Sequence, residues 1–269
     1  MRVTLKRSLM SIALSLFTIG NLSSFTALTA VLAGVGILSS LKSAGAQTIT
    51  GGTYTATAYS PSVVPFQNLT SGTLAFTNNN VQSGAAAVSL GISFNFFGAT
   101  YTNINIGVDG VLSFGNNPIT SGANVNLEQV AVSAPTIAVL WDDWRTQGQP
   151  SDGSNVTYRL LGDTAGSRRF VVQWNNLRNQ NTGAEANNGA TFQAVLYETS
   201  NKILFAYNDL DVGNTSLNNG ASATIGISNY TSAGNASQRL QWSVNTPFSG
   251  YSVCFSPGST NPATPATCP

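Results

Sequence analysis

From Thr53 onward, apolar and polar residues alternate in short runs, and each run ends at a cluster of Gly, Asn, Asp, Ser or Thr. Period-two alternation places successive side chains on opposite faces of an extended chain, so these runs read as strands with one buried face. Ile92, Phe94 and Phe96 point one way and Ser93 and Asn95 the other. Further strands are expected over 54–59, 104–108, 111–114, 135–141, 156–161, 170–174, 190–197, 203–207, 224–228, 239–244 and 251–255, about eleven in all. Asp109-Gly110 lies between two alternating runs and is a strong hairpin signal, since both residues tolerate positive φ. Gly162 to Ser167 and Thr199-Ser200-Asn201 read as two more hairpin turns. Helical periodicity is nearly absent; only Val125 to Val132 has room for a turn or two, and residues 60–85 read as a long strap. Many short strands without intervening helices predict an all-β, antiparallel β-sandwich rather than a parallel sheet.

The first 46 residues follow a different rule. Arg2, Lys6 and Arg7 are followed by a stretch without charge from Ser8 to Leu41, and Ala44-Gly45-Ala46 precedes Gln47. Basic, apolar and small-residue segments in that order are the pattern of a secretory signal peptide, with cleavage expected after Ala46. The uncharged stretch exceeds an ordinary signal core, and an uncleaved anchor is the alternative. Residues 47–256 are then expected to form one β-sandwich domain and 257–269 a Pro/Thr-rich tail. Four of the 11 basic residues and none of the 10 acidic ones lie in the leader. The remaining seven and ten give a mature net charge of −3. Without basic stretches to neutralise phosphate, nucleic acid is not an expected partner. Charged residues are 8% of the chain, against about a quarter in ordinary soluble domains, and Asn, Ser, Thr and Gly stand in their place. The hydrophobic fraction of 42% and 13 Phe argue for a packed core rather than disorder. The expected location is secreted or cell-surface. The expected partners are an extracellular protein or glycan, or a second copy of the chain; a membrane is expected only if the leader is retained. In an oxidising compartment Cys254 and Cys268 are expected to pair and pin the tail to the last strand.

The chain has no histidine, which removes the commonest general base, the usual catalytic zinc ligand and the Ser/His/Asp arrangement. What remains for catalysis is a pair of carboxylates, as in glycoside hydrolysis, and Asp142, Asp143 and Glu198 are the candidates. Neighbours on a strand point to opposite faces, so Asp142 and Asp143 cooperate only if the chain bends there. No catalytic residue or cofactor is expected. For a metal, calcium bound by oxygen donors is the candidate, at Asp142 and Asp143 or at Asp209 and Asp211. Asp209-Leu210-Asp211-Val212-Gly213-Asn214 has donors at alternate positions, but Gly220 stands where a bidentate Glu would close a calcium loop. Carboxylates accepting backbone N–H bonds in turns are the plainer reading of both sites. Trp144, at a strand exit, is a candidate for stacking on a sugar, with core packing as its alternative.

Several phrases recur together in a set order: Phe94-Asn95-Phe96-Phe97-Gly98, Val108-Asp109-Gly110-Val111-Leu112-Ser113-Phe114, Ile137-Ala138-Val139-Leu140-Trp141-Asp142-Asp143, Arg169 to Asn175, Thr191 to Glu198, Ile203 to Tyr207 and Ala223 to Ile227. Over roughly 90–255 the chain resembles a β-sandwich module of bacterial secreted and cell-surface proteins that is similar to the nidogen-like extracellular domain. The resemblance implies an extracellular, non-catalytic module of adhesion or matrix contact, and brings no catalytic residues with it. The alternative is a carbohydrate-binding module or glycoside hydrolase.

Overall fold

The computed structural model describes residues 47–48, 54–59, 66–148, 152–182, 188–229, 238–246 and 252–258. The expected leader, the start of the strap and Cys268 lie outside the described residues. The strands are β1 (Gln47–Thr48), β2 (Tyr54–Tyr59), β3 (Thr73–Phe76), β4 (Ala85–Phe96), β5 (Ala99–Gly107), β6 (Val111–Ser113), β7 (Thr136–Trp141), β8 (Trp144–Arg145), β9 (Asn155–Leu161), β10 (Arg169–Asn179), β11 (Ala190–Tyr197), β12 (Ile203–Asp209), β13 (Thr224–Ser228), β14 (Arg239–Val244) and β15 (Ser252–Pro257). Helical structure among the described residues is 3-10 only, at Asp152, Gln180–Thr182 and Asn218–Gly220.

The strands form two antiparallel sheets. The larger runs β1-β2-β15-β12-β11-β10-β9-β3, with β8 added to the end of β10; the smaller runs β14-β13-β7-β6-β5-β4. The fold is therefore the expected β-sandwich. Strands exceed the expected number because β1, β3 and β8 are pieces of two to four residues, too short to show alternation in sequence. β3 lies inside the stretch read as a strap, pairs with β9 and so forms one edge of the larger sheet. The three expected hairpins form, as β5–β6, β9–β10 and β11–β12. Between Asn126 and Val130 the chain makes one turn, with Val130 N–H donating to Asn126 O.

The core lies where the inward faces of the two sheets meet. Phe170, Val172 and Trp174 of β10 and Phe192, Ala194 and Leu196 of β11 face it, across from Ile104, Ile106, Ile137 and Val139 of the smaller sheet. Each of the Val, Ile, Leu and Phe side chains contributes roughly 1.5–3 kcal/mol by leaving water. Trp174 stacks on Phe192 with ring centroids 5.1 Å apart, and its indole N–H donates to Gly107 O at 2.9 Å, tying one sheet to the other. Tyr207 does the same from β12, donating its hydroxyl to Val139 O at 2.7 Å. Both polar tips find partners inside the core, which buried Trp and Tyr require. Trp242 is half-buried at the margin of this core. Two smaller apolar clusters lie on the outward faces. Val171, Val195, Leu204 and Cys254 form one on the larger sheet, and Val111, Ile119, Leu127, Val132, Ala138 and Trp141 form one on the smaller sheet.

Candidate functional site

The sequence-selected pair Asp142 and Asp143 sits at one end of the sandwich, and what brings it there is a bulge. Gly110 O accepts from both Val139 N–H (3.0 Å) and Leu140 N–H (3.1 Å), so two residues of β7 oppose one residue of the Asp109-Gly110 turn. An extra residue shifts the alternation by one. Val139 and Leu140 both face the inner core, and Trp141 turns to the outer cluster. The chain then bends sharply, with Trp144 N–H donating to Asp142 O at 2.9 Å. The bend that cooperation between the two carboxylates requires is thus present.

It also brings in a third carboxylate that sequence reasoning treated only as a turn residue. Asp109 is 0% exposed. Its Oδ1 accepts from Trp144 N–H at 3.2 Å, and its backbone carbonyl accepts from Asp142 N–H. Its Oδ2 is buried without a hydrogen-bond partner. Burial, and then the charge of Asp143, push the Asp109 carboxyl up to about 8; the Trp144 N–H opposes this and Asp142 adds to it. A carboxyl in that environment holds its proton near neutral pH.

Asp142 and Asp143 are engaged inside the fold. Asp142 Oδ1 accepts from Asp143 N–H at 2.8 Å, and Oδ2 accepts from Asn179 Nδ2 at 2.9 Å and from the Ser222 hydroxyl. Burial raises its pKa and these hydrogen bonds oppose the rise. Asp143 Oδ1 accepts from Gln180 Nε2 at 2.6 Å, and its carbonyl from Gln180 N–H. The turn therefore staples β7, β10 and the segment around Ser222 together. Asp109 (0% exposed) and Asp142 (5%) are buried, and Asp143 is half-buried.

Glu198 lies at the opposite end of the molecule. It receives Arg168 in a two-pronged ion pair, Nη2 to Oε1 at 2.7 Å and Nε to Oε2 at 3.0 Å, together with the Gly166 and Arg168 N–H groups. Arg168 holds its carboxyl down at about 2, the reverse of what a general acid needs. Arg168 precedes β10 and Asn179, the partner of Asp142, ends it. The two candidate acids are thus separated by a strand length on the order of 30 Å, whereas glycoside hydrolysis needs ~5–10 Å. The structure does not bring Asp142 and Glu198 together.

Asp209 and Asp211 cap their own loop. Asp209 Oδ1 accepts from Asp211 N–H, and Asp211 Oδ1 from Gly213 N–H and Asn218 Nδ2, all at 2.8–2.9 Å. Among the described residues no group of three or more Cys, Asp or Glu side chains converges as metal ligands do. Each of these four carboxylates already accepts N–H donors of the fold. Trp144 is 2% exposed, donates its indole N–H to Leu140 O at 2.6 Å and packs 6.0 Å from Phe192. It is a core residue, so the sugar-stacking expectation for it is corrected. Cys254 is buried on the outward face of the larger sheet, and its expected partner lies outside the described residues.

An open, uncharged concavity lies beside β5, and the strand pattern did not announce it. A cavity of about 620 Å³ runs along β5 and the loop after β6, lined among others by Thr100, Tyr101, Thr102, Asn103, Asn105 and Asn116. No charged side chain lines it. Tyr101 is held by stacking on Phe114, centroids 4.3 Å apart.

Fold and site together define an antiparallel β-sandwich in which Asp109, Asp142, Asp143 and Glu198 accept hydrogen bonds from within the fold. A family model described as "NIDO related" matches residues 53–268. The chain belongs to this nidogen-related family of extracellular domain type. No curated protein and no solved structure matches it.

Proposed function

We propose that the chain is exported and that its sandwich works outside the cell as a non-catalytic binding or structural module of the cell surface or matrix, through adhesion-type contacts. The observation that carries this reading is the nidogen-related match over 53–268. The charge-poor, Asn- and Thr-rich composition and the internal engagement of Asp142, Asp143 and Glu198 support it. Among the described residues no helix is long and apolar enough to cross a membrane. The experiment is cell fractionation with mass spectrometry of the N-terminus. The protein is expected outside the cytoplasm and beginning at Gln47; an intact chain in the cytoplasm would overturn the reading.

A carbohydrate-binding module is the second reading, favoured by the uncharged groove of Thr100, Thr102, Asn103 and Asn116 beside Tyr101. Hydroxyl and amide groups next to an aromatic ring suit a neutral polyol. Retention on a glycan panel, lost in Tyr101→Ala, would select this version; no retention leaves a protein partner or a second copy.

A further inference from the structure

The few charged side chains are sorted between the two ends of the sandwich. β10 starts at Arg169 and finishes at Asn179; β7 starts at Thr136 and finishes beside Asp142, to which Asn179 donates, so both strands run towards the same end. That end gathers acids. Asp142 and Asp143 form its turn, and the Asp152 carbonyl accepts from Asn176 Nδ2 near the end of β10. Asp209 stands opposite Thr191 as β12 finishes, with Asp211 two residues on. Against these five carboxylates stand two cations, Arg145 and Arg178, in register on β8 and β10. The surplus is three negative charges, since Asp109 keeps its proton up to about 8.

The other end reverses the balance. Arg168 and Arg169 open β10, and Lys202 lies in the β11–β12 turn, its carbonyl accepting from Tyr197 N–H. Arg239 pairs with Ser228, which pairs with Thr136 at the start of β7. Arg159 is exposed near the end of β9, opposite Val171. Asp163 and Glu198 offset two of these five cations, leaving a surplus of three positive charges. Of the other acids, Glu128 adjoins Leu127 of the smaller sheet's outer cluster, and Glu185 lies outside the described residues. At physiological ionic strength charge is screened over ~8 Å. The ends stand on the order of 30 Å apart, so neither neutralises the other within one molecule. Two opposite ends in contact lie inside the screening length and attract. A partner of one sign suits one end only, whereas a second copy offers both signs.

We propose that copies of this chain associate head to tail, the end carrying Arg169 and Lys202 of one molecule docking on the end carrying Asp209 and Asp211 of the next. The two surfaces differ and lie at opposite ends of the strand direction. Their contact is therefore heterologous and does not close on itself, so it builds an open chain of sandwiches. This names a partner, a second copy, for the structural module proposed above. It rests on that reading for its place outside the cell, but the docking itself does not.

Sedimentation of the protein purified from its cells tests the docking. At roughly 10 mM salt, where screening reaches ~30 Å, the mean mass is expected to climb past the dimer as concentration rises; at ~1 M salt, where it falls to ~3 Å, the monomer is expected to return. Asp209→Asn with Asp211→Asn keeps the acceptors for the Asp211 and Gly213 N–H groups and removes two charges. Arg169→Gln with Lys202→Gln removes two at the other end. Each double variant alone is expected to associate roughly 3–10-fold more weakly. Mixing the two in equal amounts is expected to restore pairing, but only to dimers, because each supplies one intact end. That rescue separates lost charge from lost folding. A monomer at low salt, a mass that stops at the dimer, association that survives ~1 M salt, or a mixture that stays monomeric overturns the proposal. If the purified protein assembles and cells hold it in the cytoplasm, export fails and the docking stands; an exported protein that stays monomeric refutes the docking alone.

Discussion

At the scale of single residues, the carboxyl of Asp109 governs the response to pH. Unfolded, it releases its proton near 3.8; folded, near 8. Between those values the folded state binds the extra proton, so stability falls as pH rises through that window. Asp142, raised by burial, acts in the same direction. Glu198 acts oppositely: Arg168 lowers its pKa, so its contribution is present above the ordinary Glu range and is lost as pH falls towards about 2. The melting temperature is therefore expected to peak at mildly acidic pH and to decline towards pH 8. Asp109→Asn should flatten that decline, because a neutral amide keeps the acceptor for Trp144 N–H without a titrating proton. A melting profile with the same slope in the variant would assign the decline to another group. Nothing in Val108-Asp109-Gly110 distinguishes a carboxyl facing solvent from one buried under a neighbouring turn, which is why Asp109 was legible only as a turn former. Trp144 failed for the same reason: the strand exit was readable, but not the Phe192 ring that covers it.

At the scale of elements, hairpins were legible because turn chemistry is local, and bulges were not. The β5–β6 turn was marked by Asp-Gly. Its second role, docking on β7, depends on Gly110 lacking a side chain. A Cβ there would stand 2.4 Å from Leu140 O, at φ +73°. Gly110→Ala is thus expected to destabilise by at least about 2–3 kcal/mol, read by denaturant titration, and a loss below ~1 kcal/mol would mean that the turn is not docked on β7. The bulge at Val139-Leu140 re-aims Trp141, Asp142 and Asp143 together. Strict alternation put Asp142 and Asp143 on opposite faces, so their engagement at one corner was conditional on a bend that no sequence signal located. Short pieces such as β1 and β8 escaped notice because two residues carry no period.

At the scale of the whole molecule, stability rests on apolar packing and neutral hydrogen bonds rather than on ions. With charged residues at 8% of the chain, the melting temperature is expected to change little between low salt and roughly 1 M NaCl, where charges are screened beyond ~3 Å. A steep loss with salt would show that ion pairs such as Arg168–Glu198 hold more than their hairpin. The sequence by itself determined the all-β class, the hairpin turns and the lack of histidine chemistry, because periodicity, turn residues and composition act over a few neighbouring residues. Only the tertiary structure decided which groups meet. Trp144 reaches Asp109 across 35 positions and Ser222 reaches Asp142 across 80, while Glu198, a candidate partner of Asp142, ends a strand length away. Register and sheet packing set those encounters, and they follow from how two sheets fill one core rather than from any local pattern.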